Sequence, residues 1–207
     1  MLKLPSLTEM LEAGMHFGHK TSRWHPKMDP FIFGVRSGVH IINLEKTTGL
    51  LQDALNTITE ITSRGGVVLF VGTKIQAKDI VKKYAEESGM PYVTERWLGG
   101  TLTNFKQIKD SIKRLKSLKD KRDKGELKKY TKKEQLLMSR EIDELEIKVG
   151  GIQDMTRVPE AMFVIDVKNE KTAILEAKVT GTQVVAVCDT NINPIKIDKV
   201  IPANDDA

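Results

Sequence analysis

The chain has 207 residues, with 33 Lys and Arg against 28 Asp and Glu for a net charge of +5, and 40% of its residues are hydrophobic. That composition suits one ample domain or two small ones with a real core, and it excludes a disordered chain. The lone Cys188 excludes an internal disulfide scaffold and fits a reducing cytosol, no run reaches the ~20 apolar residues of a membrane span, and Met1-Leu2-Lys3-Leu4-Pro5 has no secretory apolar region or cleavage site.

Ser6-Leu7-Thr8-Glu9 is a capping-box pattern that predicts a short helix ending near Gly14. Met15 to Ser37 follows with little periodicity, rich in His, Lys, Arg, Pro and aromatics. Val39 to Leu44 reads as a first buried strand. Apolar residues at Leu50, Leu51, Ala54, Leu55, Ile58 and Ile61 then predict a helix over Glu45 to Ser63. Val67 to Val71 is a continuous apolar run, the signature of a strand buried on both faces. Ile75 to Ser88 is an amphipathic helix closed by Gly89, and Met90 to Val93 is a third short strand.

The alternation then stops. Phe105, Ile108, Ile112, Leu115 and Leu118 step by three and four residues, as do Met138, Ile142, Leu145 and Val149. Lys124-Gly125 and a second capping box, Thr131-Lys132-Lys133-Glu134, lie between the two series. This pattern predicts an antiparallel coiled hairpin inserted in the body. Lys106 to Lys133 carries a local net charge of +9, which leaves −4 for the rest of the chain. A lysine-rich run is ordinarily a solvated helical face, but it is also how a polyanion contact is built. Charge alone does not choose between them.

After Gly150-Gly151 the alternation resumes, with a strand over Ala161 to Asp166, a helix over Lys171 to Val179 and a strand over Val184 to Val187. The predicted fold class is α/β, a three-layer α/β/α flavodoxin-like parallel sheet with an inserted antiparallel helical hairpin. Residues 1–104 and 150–207 form the body, and 105–149 the hairpin.

Ligands of such sheets bind beyond the carboxyl ends of the strands, where this sequence places Gly72-Thr73-Lys74, Arg96-Trp97, Asp166 and Cys188-Asp189. Lys74 is followed by Ile75, so no phosphate-binding P-loop is formed, and no GxGxxG follows a strand. All four histidines lie between residues 16 and 40, so none is placed by sequence to activate Cys188. Asp166 and Asp189 could pair for acid/base or Mg²⁺ chemistry, yet Asp at a strand end commonly caps the next turn. His16 and His19 are weak metal candidates, lacking a cysteine partner. Interleaved with Lys20, Arg23, Trp24, His25 and Lys27, they suit base stacking and phosphate contact better. Trp24 and Trp97 are core residues by default, but the neighbouring Arg23 and Arg96 make a surface stacking platform the alternative.

Longer strings are more specific. Glu12-Ala13-Gly14-Met15-His16-Phe17-Gly18-His19-Lys20-Thr21, Arg23 to Met28 and Phe31 to Gly34, then Leu69 to Lys74, Glu95 to Phe105, Val187 to Asn191 and Ile201 to Ala207, together resemble the small-subunit ribosomal protein two family, bacterial type. The resemblance spans nearly the whole chain. It implies a flavodoxin-like body with a protruding hairpin and no catalytic activity; no cofactor is expected, and the metal reading of His16 and His19 stays open beside it. It also implies contact with small-subunit ribosomal RNA and other small-subunit proteins, and an anchoring surface for the multi-domain protein that recruits messenger RNA. A cytoplasmic, ribosome-bound protein that neither enters a membrane nor forms a homo-oligomer is expected. Two departures are visible: the sequence stops at Ala207 where bacterial members usually continue into a further helix, and Ala203 stands where the family commonly has Gly.

The residues expected to contact RNA are His16, His19, Lys20, Arg23, Trp24, His25 and Lys27 in the N-terminal segment, Lys74, Arg96 and Trp97 at the sheet edge, and Lys106, Lys109, Lys113 and Arg114 on the hairpin. The rival from another class is an α/β enzyme on a phosphorylated metabolite, using Lys74, Arg96 and Asp189 at the strand ends. A third reading makes the hairpin a protein-interaction arm.

Overall fold

In a computed structural model, residues 4–206 are described, and the chain forms two sheets. The larger is parallel and five-stranded, in the order β5 (Tyr92–Val93), β4 (Val68–Val71), β6 (Ala161–Val164), β7 (Gln183–Cys188), β8 (Lys199–Pro202). Its first strand in sequence, β4, lies inside the sheet with β5 on one side and the later strands on the other. This is a doubly wound order, with the chain reversing direction between β4 and β6.

The apolar runs predicted as strands fill both faces. Leu69, Val71, Met162, Val164, Val184 and Ala186 join one cluster with Ala173, Ile174 and Ala177 of α6 (Lys171–Thr180). The alternate residues Val185 and Phe163, with Ile201, pack against Leu51, Ala54 and Ile58 of α2 (Leu44–Ser63). Side chains of successive strand residues point to opposite faces, so one run of hydrophobic residues serves both clusters.

The smaller sheet is antiparallel, with β3 (Val39–Ile42) between β1 (Phe17–Lys20) and β2 (Ile32–Arg36). It corrects the expectation for Val39–Leu44, which is a strand as expected but not part of the parallel sheet. Met15–Ser37, read as aperiodic, contains two of its strands. Each is short, contains a glycine and pairs with a register shift, so no clean two-residue alternation survives in the sequence. The fifth parallel strand, β8, was also unexpected. It is an edge strand of four residues that starts on Lys and ends on Pro, which is tolerable only where one side makes no ladder.

Helix boundaries follow the capping chemistry. Ser6 and Glu9 form the expected capping box of α1 (Leu7–Glu12), and Thr131 and Glu134 that of α5 (Lys132–Val149). Asn43 caps α2, one residue earlier than the hydrophobic stripe suggested. Helix α3 (Ile75–Ser88) ends on Gly89 at φ +66°, the left-handed conformation that glycine adopts without strain. Ala203 shows no positive φ; its buried N–H bonds to the Cys188 carbonyl at 3.1 Å, so the turn does not require the family's glycine.

The inserted pair consists of α4 (Phe105–Asp123) and α5, joined by a short 3₁₀ turn at Glu126–Lys129, and it enters the chain between β5 and β6. Ile108, Ile112, Leu115 and Leu118 of α4 and Ile142 and Val149 of α5 are buried in the same cluster as the sheet, so the seam runs into the body core. Ion pairs Arg114–Glu141 and Lys119–Glu146 link the two helices, and Lys116–Asp154 ties α4 to the chain beyond α5. Among the described residues no helix is long and apolar enough to cross a membrane.

Candidate nucleic-acid interface

The N-terminal segment is held to the loop after β7 by contacts of the backbone. His19 N–H donates to Thr190 Oγ1 at 2.8 Å and His25 N–H to the Thr190 carbonyl at 2.8 Å. Gly18 permits this approach, since a Cβ there would stand 2.6 Å from Thr190 Cγ2. Fully buried Met28 pins the following 3₁₀ stretch, Pro26–Phe31, to the core. With the backbone fixed, Lys20, Arg23 and Lys27 are exposed, while Trp24 and His25 are half-buried. The Trp24 ring packs on buried His40 at 4.8 Å between centroids, so one indole face is spent on the body.

The other two histidines are engaged internally. His16 packs on Phe17 with ring centroids 4.0 Å apart. His19 Nδ1 lies 3.0 Å from Asp189 Oδ2, and its Nε2 lies 2.9 Å from Asn191 Nδ2. With both ring nitrogens so placed, His19 braces the loop rather than offering a lone pair to solvent. Among the described residues no group of three or more His, Cys, Asp or Glu could hold a metal.

Buried carboxylates line the carboxyl ends of the strands. Burial pushes Asp189 above the usual carboxylate range against the pull of the Thr190 N–H and of His19. Burial likewise raises Asp166 and Glu170, the first turning a tight loop at φ +65° and the second accepting from the Thr73 hydroxyl. Neighbouring Cys188 is buried and its thiol is pushed up to about 12.

Lys74 departs from its expected role. Its Nζ sits 2.7 Å from Asp205 and 2.5 Å from Asp206, and its side chain is 15% exposed. Burial alone would lower its pKa, but the two carboxylates outweigh this and raise it. The cation expected to meet phosphate, of RNA or of a metabolite, is thus already neutralised by the segment after β8. Asp189 is likewise committed to His19, so the strand-end triad of the enzyme reading is not assembled.

Trp97 is corrected outright. It is buried, and its Nε1–H donates to Glu176 Oε1 at 3.1 Å, so it forms part of the core and not a surface platform. Arg96, its neighbour, is exposed. Glu176, on α6, also accepts from the N–H groups of Gly100, Leu102 and Thr103 at 2.7 to 3.2 Å. Burial pushes the Glu176 carboxyl up, but these hydrogen bonds outweigh it and hold it below the usual range. The Gly99-Gly100-Thr101-Leu102-Thr103 loop is therefore folded around one carboxylate that the sequence reading did not single out.

On the hairpin, Lys106 is exposed and Lys109 lies with Nζ 4.9 Å from the centroid of the Phe105 ring. Arg114 makes a bidentate pair with Glu141 at 2.8 and 3.0 Å, and Lys113 sits 3.9 Å from Asp110. The +9, a net figure that already counts Asp110, is thus partly compensated by Glu141 and Glu146 of α5. Three further cations were overlooked: Lys168, Lys171 and Lys196, which with Arg23 line a cleft beside α6. They are scattered in sequence and form no run, so only the fold brings them together.

A model of the family described as Ribosomal protein S2 matches residues 10–207. The match covers the parallel sheet, the inserted helices and the N-terminal segment alike. The chain belongs to the ribosomal protein S2 family, whose members are structural, non-enzymatic components of the small ribosomal subunit.

Proposed function

We propose that the chain binds ribosomal RNA within the small subunit, as a cytoplasmic monomer without cofactor, and helps anchor the messenger-recruiting multi-domain ribosomal protein. One observation carries the RNA reading: Lys20, Arg23 and Lys27 project from a segment whose backbone is pinned to Thr190 and whose Met28 is buried. Preorganised cations lose little freedom on meeting phosphate, and half-buried Trp24 and His25 add a flat surface beside them. The doubly wound strand order and the two helix-covered faces support flavodoxin-like layering of residues 1–104 and 150–207.

The hairpin, residues 105–149, is read as a coiled arm. Its RNA-contact candidates are Lys106, Lys109, Lys113 and Arg114, while Leu136, Leu137 and Ile147 are exposed on α5 and favour a protein contact on that side. Filter binding of the full chain to small-subunit ribosomal RNA across a salt series tests the RNA reading. Affinity falling steeply with salt supports it, and a slope near zero defeats it. Substitution of Lys113, Arg114 and Lys116 that spares RNA binding but loses a ribosomal protein partner assigns the arm to protein.

A further inference from the structure

The cleft between α6, the loop after β7 and the N-terminal segment encloses about 640 Å³ and opens to solvent. It lies beyond the carboxyl ends of β6 and β7, because Val167 and Lys168 follow the one strand and Asn191 to Ile197 follow the other. Val167, Ile174, Ile192 and Ile197 give it a buried aliphatic floor, with Leu175 and Ile195 exposed at the rim. Arg23, Lys168, Lys171 and Lys196 line it and no carboxylate does. Among the described residues none of these cations has an ion-pair partner, unlike nearby Lys178, which is held by Asp198.

We propose that this cleft receives one unpaired nucleotide of an RNA chain. The base lies on the aliphatic floor, and the flanking phosphates meet Arg23, Lys168, Lys171 and Lys196. The inference rests on the RNA-binding reading and deepens it. Cations come from three separate elements around the cleft, which suits the phosphates on both sides of a nucleotide within a chain. The volume falls within the ~300–1,000 Å³ of small-ligand sites. The same segment also continues outward into exposed Lys20 and Lys27.

The test is filter binding of the full chain to small-subunit ribosomal RNA over a salt series. Lys171→Glu combined with Lys196→Glu is compared with Leu175→Trp, which fills the cleft without changing charge, and with Lys83→Glu on α3 as control. The double variant is expected to lose affinity by about tenfold or more and to flatten the salt slope. Leu175→Trp is expected to lose affinity about threefold or more with the slope unchanged, and the control to stay within about twofold. Lys171 and Lys196 are exposed, so the double variant keeps the test decisive even if Leu175→Trp impairs folding. Wild-type binding with a steep slope that the cleft variants leave unaltered overturns this inference and leaves the RNA reading standing. Absence of salt-dependent binding by the wild type removes both. Two further arms use adenosine monophosphate and an alternating Glu-Leu peptide. Binding of either that depends on Lys171 and Lys196, with RNA affinity indifferent to them, assigns the cleft to a free nucleotide or an acidic protein segment and overturns the proposal.

Discussion

The indole N–H of Trp97 donates to the carboxylate of Glu176 at 3.1 Å, joining the loop before α4 to the middle of α6. The same carboxylate receives three backbone N–H groups of that loop and the Thr103 hydroxyl. Substituting Glu176→Ala leaves several of these donors buried and unpaired, with a cost of about 3 kcal/mol or more in unfolding free energy. Chemical denaturation measures it. The acid dependence has a definite sign. A carboxyl whose folded pKa lies below its unfolded value stabilises fully above the latter, and that stabilisation is lost as pH falls through the folded value. Glu176→Gln therefore flattens the decline of stability below about pH 4.5, the ordinary glutamate value. A variant that declines as steeply as wild type counts against this role.

Cys188 is fully buried between Val187 and Asp189, with its thiol pushed up to about 12 by burial and, secondarily, by Asp205 and Asp189. The thiolate fraction at neutral pH is negligible, so the residue is inert in the fold. Iodoacetamide at pH 8 is expected to leave the native chain unmodified over hours and to alkylate it within minutes in guanidinium chloride. Rapid native labelling counts against the burial described.

The long-period features were legible because local forces make them. The apolar runs of β4, β6 and β7, the seams of α4 and α5 and both capping boxes are set by residues close in sequence. The antiparallel sheet was not legible, since β1 and β2 are short, interrupted by Gly18 and Gly34, and defined by pairing with β3 alone. Candidate residues divided the same way. Lys20, Arg23 and Lys27 are displayed as composition suggested, whereas the fates of Lys74 and Trp97 depend on Asp205, 131 residues away, and Glu176, 79 away. Charge type can be read locally. Whether a charge is already satisfied is a tertiary fact.

Lys74 supplies a test of that distinction. Asp205 is 7% exposed, so removing Lys74 strands a buried charge and leaves Asp206 without its partner. Lys74→Met is expected to destabilise the fold by about 1–3 kcal/mol. With its pKa raised in the fold, Lys74 stabilises fully below the ordinary lysine value of 10.5, and that contribution disappears as pH rises through the folded value. The destabilisation should accordingly be constant from pH 6 to 9, with RNA affinity measured well below the melting temperature unchanged. Affinity falling together with the salt slope would return Lys74 to the RNA contact.

Lys20 and Lys27 make the opposite prediction. Both are exposed, and among the described residues neither has a carboxylate partner. Their removal therefore costs the fold little, within about 0.5 kcal/mol each. If each neutralises one phosphate, each substitution to Ala lowers the steepness of log affinity against log salt by roughly 0.7 to 0.9. The double variant should lower it by about twice that, because Lys20 follows the His19 contact to Thr190, Lys27 follows the His25 contact, and the two share no partner. Filter binding at four or five salt concentrations resolves a change of this size. A double variant with the wild-type slope removes both residues from the interface, and one with a melting temperature many degrees lower shows that they serve the fold instead.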